Sequence, residues 1–171
     1  MKLLTNIASY LFVFLQAGGI TVAIQAIRMN PDNITLLRLL LMLMERISRN
    51  DLYKEQIVAA GGVDVVVDIA IGRHVAQEDI TLKSLSTLAN LAFNSPDNIV
   101  AIMSKGGVKA CEKALQQWTL HARILENAMC ALSNLMFGSD ENKLHIGQTC
   151  GDEITNIIRD HSVDIGLLKM A

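Results

Sequence analysis

Pairs of glycines recur along this chain at nearly constant intervals: Gly18-Gly19, Gly61-Gly62 and Gly106-Gly107, with a degenerate Cys150-Gly151 in step after them. The second members lie 43, 45 and 44 residues apart. A period of this length marks supersecondary units that cannot bury their apolar faces alone and must stack on one another. Other columns recur with the glycines. Five residues before the second glycine stand Phe14, Ile57, Ile102 and Ile146; one residue after it stand Ile20, Val63, Val108 and, breaking the column, Asp152. Seventeen residues before the later three glycines stand Glu45, Asn90 and Asn134.

Around that last column the apolar residues align as well. Leu40, Leu85 and Met129 come five before it, Leu43, Leu88 and Leu132 two before, and Ile47, Ala92 and Met136 two after. Spacings of three, four and seven define one face of a helix. Asn30-Pro31-Asp32 and Ser95-Pro96-Asp97 each offer a capping side chain, a proline for the first helical position and an acid for the first turn, so both prolines are expected to start helices. One unit then reads as a short helix near 96–105, a second near 108–117 and a long third near 121–137. The glycine pairs let the first two helices meet at a sharp angle.

The segments LANLAFNSPDNIVAIMSKGGVKACEKAL (88–115) and ALSNLMFGSDENKLHIGQTCG (131–151) resemble the armadillo repeat family, in which a third helix ends in a leucine/alanine-serine-asparagine-leucine pattern before a polar loop and a glycine pair. The resemblance spans nearly the whole chain, with three clear junctions and a weaker fourth at Gly151. It implies an all-α fold, a right-handed α-solenoid of three-helix repeats forming a single array over residues 1–171, with units near 1–50, 51–95, 96–139 and 140–171. Both ends read as cut through a repeat, as in a fragment of a longer protein.

The resemblance also implies a role. Third helices of such repeats line a concave groove that holds extended peptides, and a ladder asparagine bonds the partner's backbone. An amide suits that task because it donates, accepts and carries no charge. By motif match the ladder residues are Asn90 and Asn134, with Glu45 departing from the pattern in the first unit. Arg38, Lys83 and Asn127 (seven before the ladder), Ser86 (four before) and Asn94 (four after) complete the expected groove. Import receptors of this family carry tryptophan four before the asparagine; here Leu41, Ser86 and Cys130 stand there, which disfavours that role. Arg38, Arg49 and Lys83 suit an acidic or neutral peptide instead. The bland readings are an Asn90/Asn134 tie to neighbouring backbone and a Glu45–Arg49 ion pair within one helix. The expected function is a non-catalytic protein-interaction scaffold. The alternatives are a structural or oligomerising module, or a membrane-tethered adaptor. The oligomeric state is left open.

Composition narrows the classes. Hydrophobic residues make up 51% of the chain and aromatics only 4%, a mix suited to close-packed helices rather than to a β-sandwich. A net charge of −2, without charge blocks, points to no nucleic-acid partner. No charge falls between Lys2 and Arg28, but Asn6, Ser9, Gln16, Gly18 and Gly19 interrupt the run, which argues against a membrane span or signal peptide. Three cysteines without a CxxC pair favour a reducing intracellular compartment, with cytoplasm preferred over nucleus. Cys130 with His121 or His145 lacks an orienting group and an oxyanion hole, and His145 with Cys150 lacks two further metal ligands, so no enzyme, cofactor or metal is expected.

Overall fold

The computed structural model describes the backbone of residues 13–168 and the side chains of residues 13–160. Every regular element among the described residues is helical. After a helical turn at 13–16 come α1 (Gly19–Met29), α2 (Ile34–Ile47) and α3 (Asp51–Ala59). Helix α4 follows, running through Gly62–Asp64, a π-helical stretch Val65–Ile71 and Gly72–His74. Then come α5 (Glu78–Ala92), α6 (Pro96–Ser104), α7 (Gly107–Gln117), α8 (Ala122–Met136) and α9 (Asp140–Leu168). First, second and long third helices thus succeed one another as α3–α4–α5 and α6–α7–α8, with α1–α2 as the last two members of a preceding set.

Helices in like positions pack on one another along the chain. Long helix α2 contacts α5, and α5 contacts α8; α1 contacts the π stretch of α4, which contacts α7, and α7 contacts α9; α3 contacts α6. Of the apolar stripe read from the sequence, Leu40 and Ile47 of α2, Leu85, Leu88 and Ala92 of α5 and Leu132 of α8 are buried, while Leu43 and Met136 are half-buried; Leu37, Leu41, Met44, Leu91 and Leu135 are buried beside them. Each buried leucine among them contributes roughly 1.5–3 kcal/mol through burial. Met129 departs from its column and is 40% exposed. Helix α5 lies between α2 and α8, whereas α8 packs on α5 and on the start of α9.

The helix starts explain the register. Asn33 caps α2 by accepting from the Leu36 N–H at 3.0 Å, Asn50 caps α3 from Leu52 at 3.0 Å, and the His121 ring caps α8 from Ile124 at 3.3 Å. The residues preceding the three long helices, Asn33, Gln77 and His121, are spaced by 44 and 44, more regularly than the glycines. Two single-residue differences account for the irregular glycines. From Gly61 to Gln77 there is one residue more than from Gly18 to Asn33 or from Gly106 to His121, and the π-helical stretch Val65–Ile71 absorbs it. Helix α2, at 14 residues against 15 for α5 and α8, is one residue shorter than its counterparts, and the turn after it is of the same length as theirs. That turn lacks the left-handed residue that follows α5 (Asn94, φ 51°) and α8 (Gly138, φ 73°).

Several expectations are corrected. Pro96 opens α6, but Pro31 lies in a turn and α2 begins three residues later, because Asn33 supplies the cap. The junction glycines Gly18, Gly61 and Gly106 are left-handed (φ 79–83°), whereas no junction exists at Cys150-Gly151 and α9 runs unbroken from Asp140 to Leu168. A cysteine's Cβ disfavours the left-handed turn, so the helix continues. The uncharged run bends at Gly18 within its described part; Leu3 to Phe12 lie outside the described residues. Phe14 lies against Gly19 yet remains 41% exposed rather than buried. No described helix is long and apolar enough to cross a membrane.

A Cβ on Gly107 would lie 2.9 Å from the Ile102 carbonyl oxygen and closer still to its side chain, while one on Gly147 within α9 would meet nothing within 4 Å. Gly107→Val is therefore expected to lower the unfolding free energy by roughly 2–3 kcal/mol. Gly147→Ala is expected to raise it by about 0.5–1 kcal/mol. Urea denaturation of both variants beside wild type measures the pair, and equal midpoints would contradict the junction geometry.

Candidate functional site

The half-buried flank of the long helices carries most of the residues expected to bind. Counting thirteen from each helix-preceding residue aligns Arg46, Asn90 and Asn134. Glu45, which the glycine count put in line with Asn90 and Asn134, therefore stands one residue out of that column; α2 is one residue shorter than α5 and α8, which shifts the count by one. The same correction puts Met42, not Leu41, in line with Ser86 and Cys130, and Leu41 is fully buried.

Both asparagines reach back to the preceding long helix. The Asn90 amide donates to the Glu45 carbonyl oxygen at 3.2 Å and to the Ser48 hydroxyl at 3.2 Å, and Asn134 donates to the Ala89 carbonyl oxygen at 2.9 Å. Each backbone bond steps back by the same 45 residues, an independent mark of equivalence. The donor side of each amide is spent on the fold. The acceptor oxygens are not: no donor reaches Oδ1 of either residue among the described residues.

The charged candidates are also engaged. Arg38 binds Asp79 at 2.7 Å and Gln77 at 3.3 Å, joining the N-terminal ends of α2 and α5 away from the amides. Glu45 pairs with Lys83 at 3.0 Å rather than with Arg49, because the neighbouring helix brings an ammonium to it. With side chains 28% and 27% exposed, that pair is worth about 0–1 kcal/mol. Asn127 donates to the Arg123 carbonyl oxygen of its own helix at 2.8 Å, and Ser86 is half-buried. Asn94 sits apart, in the left-handed turn after α5. The structure thus gathers Glu45, Lys83, Ser86 and Asn90 on adjacent helices and leaves Arg38 and Asn94 at opposite ends.

What this flank offers a ligand lies beside them. Arg46 and Arg49 are exposed and have no ion-pair or hydrogen-bond partner among the described residues. With Met42, Glu45 and Lys83 they line a hollow of about 310 Å³. Arg46 was missed because its column was read one residue away. Asn98 and Asn142 were missed too: each donates to a carbonyl seven residues back, Leu91 at 3.1 Å and Leu135 at 2.9 Å, tying a first helix to the long helix before it. Their spacing of 44 was the available signal.

The cysteines and histidines are dispersed. Cys130 and His145 are exposed on different helices, and His121 Nε2 lies 3.0 Å from Glu78. Burial pushes the Cys111 thiol up to about 12, helped by the nearby Cys150, whose own thiol burial raises to about 11. Compared with known proteins, the chain matches no protein-family model and no curated relative.

Removing an amide that holds a carbonyl tests its structural share. Asn134→Ala is expected to lower the unfolding free energy by about 0.5–1.5 kcal/mol. Asn98→Ala is expected to cost roughly 1–3 kcal/mol, because Asn98 is only 3% exposed and leaves the Leu91 oxygen buried without that donor. Calorimetric melting of the two variants ranks them; the reverse order would mean that burial at Asn98 does not govern its worth.

Proposed function

We propose that the chain is a right-handed α-solenoid of armadillo-type repeats, and that it serves as a non-catalytic scaffold holding an extended acidic segment of a partner protein along its long helices. The observation that carries the reading is the exposed, unpartnered pair Arg46 and Arg49, lying in line with amides whose acceptor oxygens are open. The ordered packing of like helices supports the repeat architecture. Packed helices lie about 8–10 Å apart and an extended chain advances about 3.3 Å per residue, so backbone N–H groups roughly two to three residues apart would reach Asn90 and Asn134 in turn. Carboxylates of the same segment would meet Arg46 and Arg49 through charge-assisted hydrogen bonds.

The test is a fluorescence titration with labelled twelve-residue peptides of graded charge, from acidic to basic. Acidic peptides are expected to bind saturably and basic ones not. The double variant Arg46→Ala/Arg49→Ala is expected to weaken acidic binding by roughly 1.5–3 kcal/mol. Its unfolding free energy should fall by no more than about 1 kcal/mol, since only the interaction of Arg46 with the α2 C-terminus is lost. Peptide binding indifferent to charge, or equal in the double variant, would remove this face as the functional surface.

A further inference from the structure

Beyond the last turns of the long helices, a device in one unit is left half-built in the next. Lys54, fourth after the cap Asn50, is only 3% exposed. Its ammonium donates to the Phe93 carbonyl oxygen at 2.8 Å, lies 5.6 Å from the Phe93 ring centroid and pairs with Asp51 at 2.8 Å. The last unit repeats the Asp-x-x-Lys pair as Asp140 and Lys143, at 2.7 Å. The middle unit departs at both positions, with Pro96 in place of the aspartate and Ile99 in place of the lysine.

The acceptor is nevertheless retained there. Phe137 stands sixteen after His121, as Phe93 stands sixteen after Gln77. Its ring belongs to a residue 73% exposed, and no donor reaches its carbonyl oxygen among the described residues. Beside Phe137 lies a hollow of about 570 Å³ lined by the apolar Pro96, Ile99, Val100 and Phe137 and by polar residues that include Asn142 and the acidic Glu141. Apolar walls accommodate an aliphatic stem; an aromatic face, an open carbonyl and a carboxylate accommodate an ammonium.

We propose that this hollow receives a lysine side chain from a partner protein, in the place that Lys54 fills within the preceding unit. The stem lies along Ile99 and Val100, and the ammonium meets the Phe137 oxygen, its ring and Glu141. The site stands apart from Arg46 and Arg49 and does not depend on the peptide reading of the long helices.

The experiment is an NMR titration of the full chain with Nα-acetyl-lysine methylamide, beside the norleucine and arginine counterparts. The lysine probe is expected to shift the Val100, Phe137 and Gly138 signals saturably, and norleucine to bind at least about fivefold more weakly. Glu141→Gln should weaken the lysine probe about two- to fivefold, and Phe137→Ala should abolish saturation; both residues are exposed, so the fold should survive. Ile99→Lys should occupy the hollow from within and block the probe, and the other two variants decide the matter should it not fold. Absence of saturable shifts, equal binding of norleucine, or preference for arginine would overturn the proposal.

Discussion

Contact between helices in like positions is the constraint on which everything else in this chain depends. Helices α2, α5 and α8 bury their apolar faces largely against one another. Apolar contact is not directional, however, and would tolerate sliding. Polar ties set the register. Asn90 and Asn134 hold carbonyls of the preceding long helix, His74 lies 3.0 Å from the Pro31 oxygen, and Trp118 donates to the Val75 oxygen at 2.8 Å. Arg28 reaches Asp64 and the Gly61 oxygen in the next unit. Each tie joins a side chain to a group about one unit away, so a slip of one residue would break several together.

That arrangement explains how the chain carries irregular spacing without losing its face. One residue is gained between Gly61 and Gln77, and the π-helical stretch takes it up. One is missing at the end of α2, and no left-handed residue occurs in the turn that follows. The first falls in α4 and the second at the C-terminal end of α2, so neither shifts the start of a long helix. The residues preceding α2, α5 and α8 therefore keep a common interval, and the columns of those helices stay in phase.

What was legible in the sequence follows from the same distinction. Helical type, the three glycine junctions and the buried positions of Leu85, Leu88 and Leu132 could be read because they rest on periodicity and on backbone freedom. The partners of Glu45 and Lys83 could not. A favourable spacing within one helix suggested Arg49, and only packing brings Lys83 to Glu45. Asn90 and Asn134 were legible as a column, but not as donors already spent on backbone. The fourth junction, degenerate already in the sequence, does not form: Cys150 has a Cβ that the left-handed turn disfavours, and the helix runs on.

The ends of the three long helices show how the local rules lead toward binding. Each C-terminus carries a partial negative charge from its unpaired carbonyls, which a cation stabilises. Helix α2 supplies its own in Arg46 of its last turn. Helix α5 has no basic residue in its last turn, and Lys54 of α3 reaches across to the Phe93 oxygen. Helix α8 also lacks a basic residue in its last turn, and Ile99 stands where that lysine would come from. The same electrostatic demand is thus met from within the helix at α2 and from a neighbouring helix at α5. At α8 neither source is present among the described residues, and the apolar hollow beside Phe137 lies open at that place. A cation arriving there from another chain would complete a pattern that the fold itself sets out twice.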